Sequence, residues 1–177
     1  SSYRREFQLR LLRPDLKFKL IRGNIDSRIK KIKQNKYDAI VLAKAGLKCL
    51  KMSKIVTQEF DCNKIIPSAG QGIITIQSRN NDVEINKLLE KINHKNTRIR
   101  AYAERAVLKI LKGDCSTAVG VYSFINKKKL TLKAELFSID GINRFYYEYS
   151  DRVDKALEVG NIVGRYLKKK SQGKYIN

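Results

Sequence analysis

The chain has no tryptophan, one methionine, one histidine, two prolines and three cysteines. Cys49, Cys62 and Cys115 are odd in number, widely spaced and form no C-x-x-C pair. A disulfide-stapled scaffold needs a higher density, so a reducing compartment, the cytoplasm, is expected. With His94 as the only histidine, a structural zinc site has too few soft ligands, and no metal is expected. No apolar run approaches the roughly 18–20 residues that span a bilayer. The opening SSYRREFQLR is basic but has no apolar stretch behind it, so neither a membrane span nor a signal peptide is read. Acidic residues are also short: 17 Asp and Glu against 38 Lys and Arg leave a formal charge of +21.

Such an excess attracts polyanions. The lysines, however, run through the whole chain, clustering only at Lys127–Lys129 and Lys168–Lys170, and they accompany an excess of Ile and Asn that A/T-biased codons produce. Solvated faces account for most of them. A small basic nucleic-acid-binding module is the rival reading from another class, and the net charge alone supports it. With 177 residues, 42% of them hydrophobic, the chain suffices for one ordinary domain or two small ones. It opens at Ser1 without a methionine, which reads as a processed chain or a fragment.

Hydrophobic periodicity predicts alternating strands and helices in the first part. Residues 4–12 and 26–34 read as helices, the latter starting near Asp26 or Ser27. The segments 17–21 (KFKLI) and 38–43 (DAIVLA) read as strands, and a helix of about two turns follows from Ala45. That order implies parallel βαβ units. Pro67 and Gly70-Gln71-Gly72 mark a turn, after which 74–78 (ITIQS) is extended. Residues 82–92 and 95–111 read as helices, the second stopped by Gly113. Strands are expected near 119–126, 130–138 and 144–150, then a helix from about Asp154 to Lys169. This last part is a small α+β unit, a three-stranded sheet with helices on one face. The first part has too few strands for a parallel sheet covered on both faces, so it reads as incomplete.

Three features carry chemistry. Cys115 lies in a polar turn, Gly113-Asp114-Cys115-Ser116-Thr117, a poor place for core filling. The residues alone leave two readings, an exposed thiol without function or a covalent role helped by cationic surroundings. Ser1-Ser2-Tyr3-Arg4-Arg5 enters one helix, and Arg22-Gly23-Asn24-Ile25-Asp26-Ser27-Arg28 enters another after a strand. Helix starts favour anions, and arginine forks bind carboxylates bidentately. Either loop alone reads as ordinary N-capping, whereas two on one edge point to an acidic small molecule. His94, between two helices, reads as a cap. Gly70 and Gly72 read as backbone requirements of a turn.

Six motifs occur in order: Ser1-Ser-x-Arg-Arg, Arg22-Gly-Asn-x-x-x-Arg28, Tyr37-Asp-Ala-Ile-x-Leu-Ala-x-Ala-Gly-Leu47, Pro67-x-x-Gly-Gln-Gly72, Ala103-Glu104-Arg105 and Gly113-x-Cys115. Together they resemble the porphobilinogen deaminase (hydroxymethylbilane synthase) family over essentially the whole chain. The resemblance implies a monomeric cytoplasmic transferase of haem biosynthesis that condenses four porphobilinogen molecules into hydroxymethylbilane and releases ammonia. It implies that Cys115 holds a dipyrromethane cofactor through a thioether. It also implies that Ser2, Arg4, Arg5, Arg22, Arg28 and Gly46 bind the cofactor and the substrate carboxylates.

On the same basis the fold is α/β, an incomplete periplasmic-binding-protein-like domain followed by the small α+β domain. Residues 1–66 match part of the second domain, 67–92 a returning segment of the first, and 93–177 the third. The first domain, with the aspartate that handles protons, is absent, so no catalytic residue is expected in this chain. The implied partners are porphobilinogen and a missing N-terminal domain or chain, and an inactive fragment of the enzyme is the alternative. Two departures stand out. Cys49 occupies a usual arginine position, and Ser116 and Ala118 replace the usual glutamine and proline.

Overall fold

The structure, a computed structural model, describes residues 2–113 and 116–175. In chain order the elements are α1 (Tyr3–Leu12), α2 (Ile25–Lys33), α3 (Lys44–Cys49), α4 (Val83–Ile92), α5 (Lys95–Leu111), β1 (Val119–Asn126), β2 (Lys129–Phe137), β3 (Arg144–Arg152) and α6 (Ala156–Ser171). Single 3₁₀ turns lie at Ser53–Ile55 and Val153–Lys155. Fold class and element order agree with the sequence reading, with exceptions in the first part.

From α5 onward, local patterning builds the fold. Alternating apolar residues put Val119 and Val121 on one face of β1, and Leu130, Leu132, Ala134 and Leu136 on the same face of β2. The strands form an antiparallel sheet in the order β1-β2-β3, registered by Val121↔Ala134 and Ala134↔Tyr147. Ala103, Val107 and Leu111 of α5 and Val159, Val163 and Leu167 of α6 close this face into one core. The helices pack almost backbone to backbone, since a Cβ at Gly160 would lie 2.2 Å from the Ala103 carbonyl oxygen. Tyr175 ties the chain's end to the core, its hydroxyl donating to the Leu111 carbonyl at 2.9 Å.

The caps explain the helix limits. His94 caps α5, its Nδ1 accepting the Thr97 N–H at 3.3 Å, as its position predicts. The expected stop at Gly113 moves back one residue, because the left-handed position is Lys112 at φ 54°. α2 starts one residue before the expected 26, capped by Asn24, which accepts the Ser27 N–H at 2.8 Å. The expected turn is present, with Gly70 at φ 71° and Gly72 at φ 84°, a backbone region that costs glycine little.

Within the last part both helices, α5 and α6, lie on one face of the sheet, as expected; the first part covers the other face. β2 is buried on both faces from Leu130 to Phe137. Its second face, with Lys133, Glu135 and Phe137, is covered by α1 and residues 61–67. The Phe7 and Phe137 rings lie 5.6 Å apart. The Val121 N–H donates to the Pro67 carbonyl at 2.7 Å, and Lys133 Nζ donates to Asn63 Oδ1.

The first part differs from expectation in one respect. Residues 17–21, 38–43 and 74–78 join no sheet among the described residues. A parallel pair needs flanking strands and cover on both faces, and two short segments supply neither. The Val41 carbonyl, which a ladder would use, accepts from Arg5 instead. Ile74 and Ile76 stand 88% and 56% exposed.

Candidate functional site

The start of α1 supplies the first cationic group. Ser2 caps the helix, its Oγ accepting the Arg5 N–H at 3.4 Å. Arg4 turns inward, is 7% exposed, and donates from Nη1 to the Ile66 carbonyl at 2.8 Å. Burial, and next the like charge of Arg5, push its guanidinium down to about 10 against an opposing pull from Glu135. It therefore stays charged at neutral pH.

Arg5 lies where several segments meet. Its Nη1 donates to the Val41 carbonyl at 3.0 Å, and its Nη2 lies 3.5 Å from Gln71 Oε1 in the glycine turn. Burial first and the like charge of Arg28 second lower its pKa. Arg28 is fixed by an Nε hydrogen bond to the Gly23 carbonyl at 2.7 Å. Gly46 lets α3 approach α2, since a Cβ there would lie 2.7 Å from Ile25 Cδ1. Arg22 is exposed, and its backbone carbonyl accepts from Lys31 Nζ at 3.1 Å. The structure thus places Arg5 between Val41 and Gln71, Arg28 on the Gly23 carbonyl and Gly46 against α2, with Arg4 on the inner side of α1.

These arginines share a second property. Among the described residues, none of Arg4, Arg5, Arg22 and Arg28 has a carboxylate oxygen within 4.0 Å. Arg10, Arg13, Arg79, Arg98, Arg144 and Arg152 each do, whereas Arg100, Arg105 and Arg165, elsewhere in the chain, have none among the described residues either. Like charges held together without a counter-ion are prepared for an external anion.

A cavity of about 450 Å³ joins the start of α1 to the turn before β1, lined by Ser2, Arg4, Ser68, Gly113, Ser116 and Thr117 among others. Cys115 itself lies outside the described residues, but residues on both sides of it border the cavity. Of the other thiols, Cys49 is exposed at the end of α3. Cys62 is half-buried beside Lys133 and Arg100, and burial raises its pKa. No cluster of metal-ligating side chains occurs among the described residues.

Two residues here escaped sequence reasoning. Gln8, 2% exposed, bonds both the backbone N–H and the carbonyl of Ile66. The buried Glu104 carboxylate accepts the Gly70 N–H at 2.7 Å, the Ser123 N–H at 3.0 Å and the Ser123 hydroxyl at 2.7 Å, fixing the glycine turn to α5 and β1. A polar residue on the buried side of a helix was the available signal for each. Naming their partners required residues 58 and 34 positions away.

The sequence model described as "Porphobilinogen deaminase, dipyromethane cofactor binding domain" matches residues 1–87. That for "Porphobilinogen deaminase, C-terminal domain" matches residues 98–169. A porphobilinogen deaminase of Blochmanniella pennsylvanica is 38% identical over 167 residues, covering 94% of this chain and 56% of that protein. One of Coxiella burnetii is 43% identical over 141 residues, covering 80% and 46%. One of Buchnera aphidicola is also 43% identical, covering 80% and 45%. The chain spans about half the length of these curated relatives. With two models of one family matching most of its length and relatives of the same name, the chain belongs to the porphobilinogen deaminase family.

Proposed function

We propose that this chain is the cofactor-bearing part of a hydroxymethylbilane synthase, a transferase that joins four porphobilinogen molecules and releases ammonia. The observation that carries this reading is the cavity in which Ser2 and Arg4 meet both flanks of Cys115. Its size suits a small ligand, and its donors suit a dipyrromethane, whose acetate and propionate groups need cationic partners. When bound, that group supplies the pyrrole carbon on which the chain grows.

The remaining roles belong to the chain's own residues. Cys115 attaches the cofactor through sulfur, as a nucleophile toward a methylene carbon. Arg4 and Ser2 hold carboxylates on the inner side of α1. Arg5 and Arg28 take those on the outer side, where two unneutralised guanidiniums favour a dianion. Arg22, exposed at the surface, reaches the ligand from solvent. The proposed divisions are 1–66, 67–92 and 93–177.

The proton-handling acid belongs to a complementary N-terminal part. A trough of about 1090 Å³ lined by Ile73, Ile74, Ile76, Leu89, Ile92 and Tyr102 is the surface proposed for it. The cysteine usage supports a cytoplasmic setting. No helix among the described residues is long and apolar enough to cross a membrane.

Peptide mass mapping of the active holoenzyme tests the assignment. The dipyrromethane mass is expected on the peptide containing Cys115. The same adduct on Cys49 or Cys62, with Cys115 free, overturns it.

A further inference from the structure

We propose that Gln8 is a positioning residue that fixes Arg4 in the cavity beside the Cys115 turn, an inference that rests on reading that cavity as a carboxylate site. Arg4 and Gln8 lie one turn apart on the buried side of α1, where residues i and i+4 face the same way. The Ile66 peptide sits against both. Its carbonyl accepts from Arg4 Nη1 at 2.8 Å and from Gln8 Nε2 at 2.9 Å, while its N–H donates to Gln8 Oε1. Gln8 Nε2 is also 3.2 Å from the Arg4 carbonyl oxygen. Gln8 and Ile66 are each 2% exposed, so water is a poor substitute for these bonds.

One side-chain amide thereby satisfies both backbone polar groups of one residue, Ile66, whose carbonyl also anchors Arg4. Among the described residues, the bond to Ile66 is the only hydrogen bond from the Arg4 side chain. A guanidinium is a rigid planar fork, so fixing one nitrogen restricts the directions of the rest. The same segment reaches the cavity's other wall, because the next carbonyl, Pro67, accepts the Val121 N–H at 2.7 Å. Val121 lies in β1, which follows directly from the Ser116–Thr117 wall. Gln8 therefore sets the position of Arg4 and ties α1 to the strand that leads out of the cysteine turn.

The experiment uses residues 1–177 as wild type, Gln8→Met, Arg4→Leu and the double variant, with Phe7→Leu as a control on the same side of α1. Two readouts are taken: the side-chain Nε–H resonance of Arg4 by NMR, and porphobilinogen affinity by calorimetry. In Gln8→Met the ordered Arg4 resonance is expected to average out. Affinity should fall about tenfold, in line with a charged hydrogen bond. Adding Gln8→Met to Arg4→Leu should cost no further affinity, and Phe7→Leu should leave both readouts unchanged. If Gln8→Met does not fold, Gln8→Glu keeps the acceptor for the Ile66 N–H, loses the donor to its carbonyl, and gives the same readouts.

An Arg4 resonance unchanged in folded Gln8 variants overturns the proposal. So does an equal loss of affinity with and without Arg4. A wild-type chain that fails to bind porphobilinogen, while the Arg4 resonance responds as expected, supports the positioning role and overturns the carboxylate reading instead.

Discussion

From His94 onward, α5, α6 and the three strands share one core in which Val107, Val121, Leu130, Leu132, Leu136 and Leu167 are shielded from solvent. Before it, α2 buries only Ile29, α3 only Leu47, and α4 no residue at all. Both regions contain amphipathic helices and apolar runs, so composition does not separate them. The difference is where each apolar face finds its partner. β1, β2 and β3 are consecutive hairpin strands that pair with sequence neighbours, and α5 and α6 flank them in sequence. The segments at 17–21, 38–43 and 74–78 need strands that are not neighbours, and stay without a ladder. α1 is the exception: it gains its burial by docking on the second face of β2.

The widest contrast concerns activity. Residues 1–177 alone are expected to form no hydroxymethylbilane, because the proposed proton-handling acid and the cover for the Ile74–Ile76 surface come from elsewhere. Supplying porphobilinogen to the purified chain checks this. Turnover near that of a full-length relative would remove the division of labour.

A stability pair tests the same contrast inside the chain. Leu132→Ala, at the fully buried centre of β2, should cost about 2–5 kcal/mol. Ile76→Ala, on the exposed segment, should stay within about 0.5 kcal/mol. Urea unfolding followed by circular dichroism measures both, and equal losses would erase the distinction.

Within the cationic site, Arg5→Leu should weaken porphobilinogen binding about tenfold, consistent with a lost charge-assisted bond. Arg22→Leu should weaken it less, because Arg22 is exposed and outside the Val41–Gln71 cluster. Calorimetry on the two variants decides the order.

The smallest effect concerns pH. Burial raises the pKa of Glu135 above its ordinary 4.5, against downward pulls from Arg144 and Arg4. Its folded-state pKa lies above the unfolded value, so its contribution to stability is complete below the unfolded value. That contribution is lost as pH rises through the folded one. Glu135→Gln should therefore compare least favourably with wild type in acid and gain on it toward neutrality. Urea melts across that window read the difference; a gap constant with pH would contradict the sign.

Local physics made much of this protein legible in its sequence. Period-2 alternation located three strands within a residue or two, helical periodicity located the helices, and His94 announced its cap. The order of six short motifs pointed to the family, because each keeps a chemical group at a fixed spacing. Tertiary structure alone decided what depended on distant partners. It left three extended segments outside any sheet among the described residues, since a strand's edge is satisfied by another strand rather than by its own pattern. It half-buried Arg5 and Arg28 and left Arg22 exposed, and it covered the second face of β2 with α1. It also turned Gln8 and Glu104 into clamps on backbone far along the chain. A glutamine looks the same in sequence whether it faces water or grips a buried peptide, because a hydrogen bond is fixed by the position of both partners and sequence spacing supplies only one.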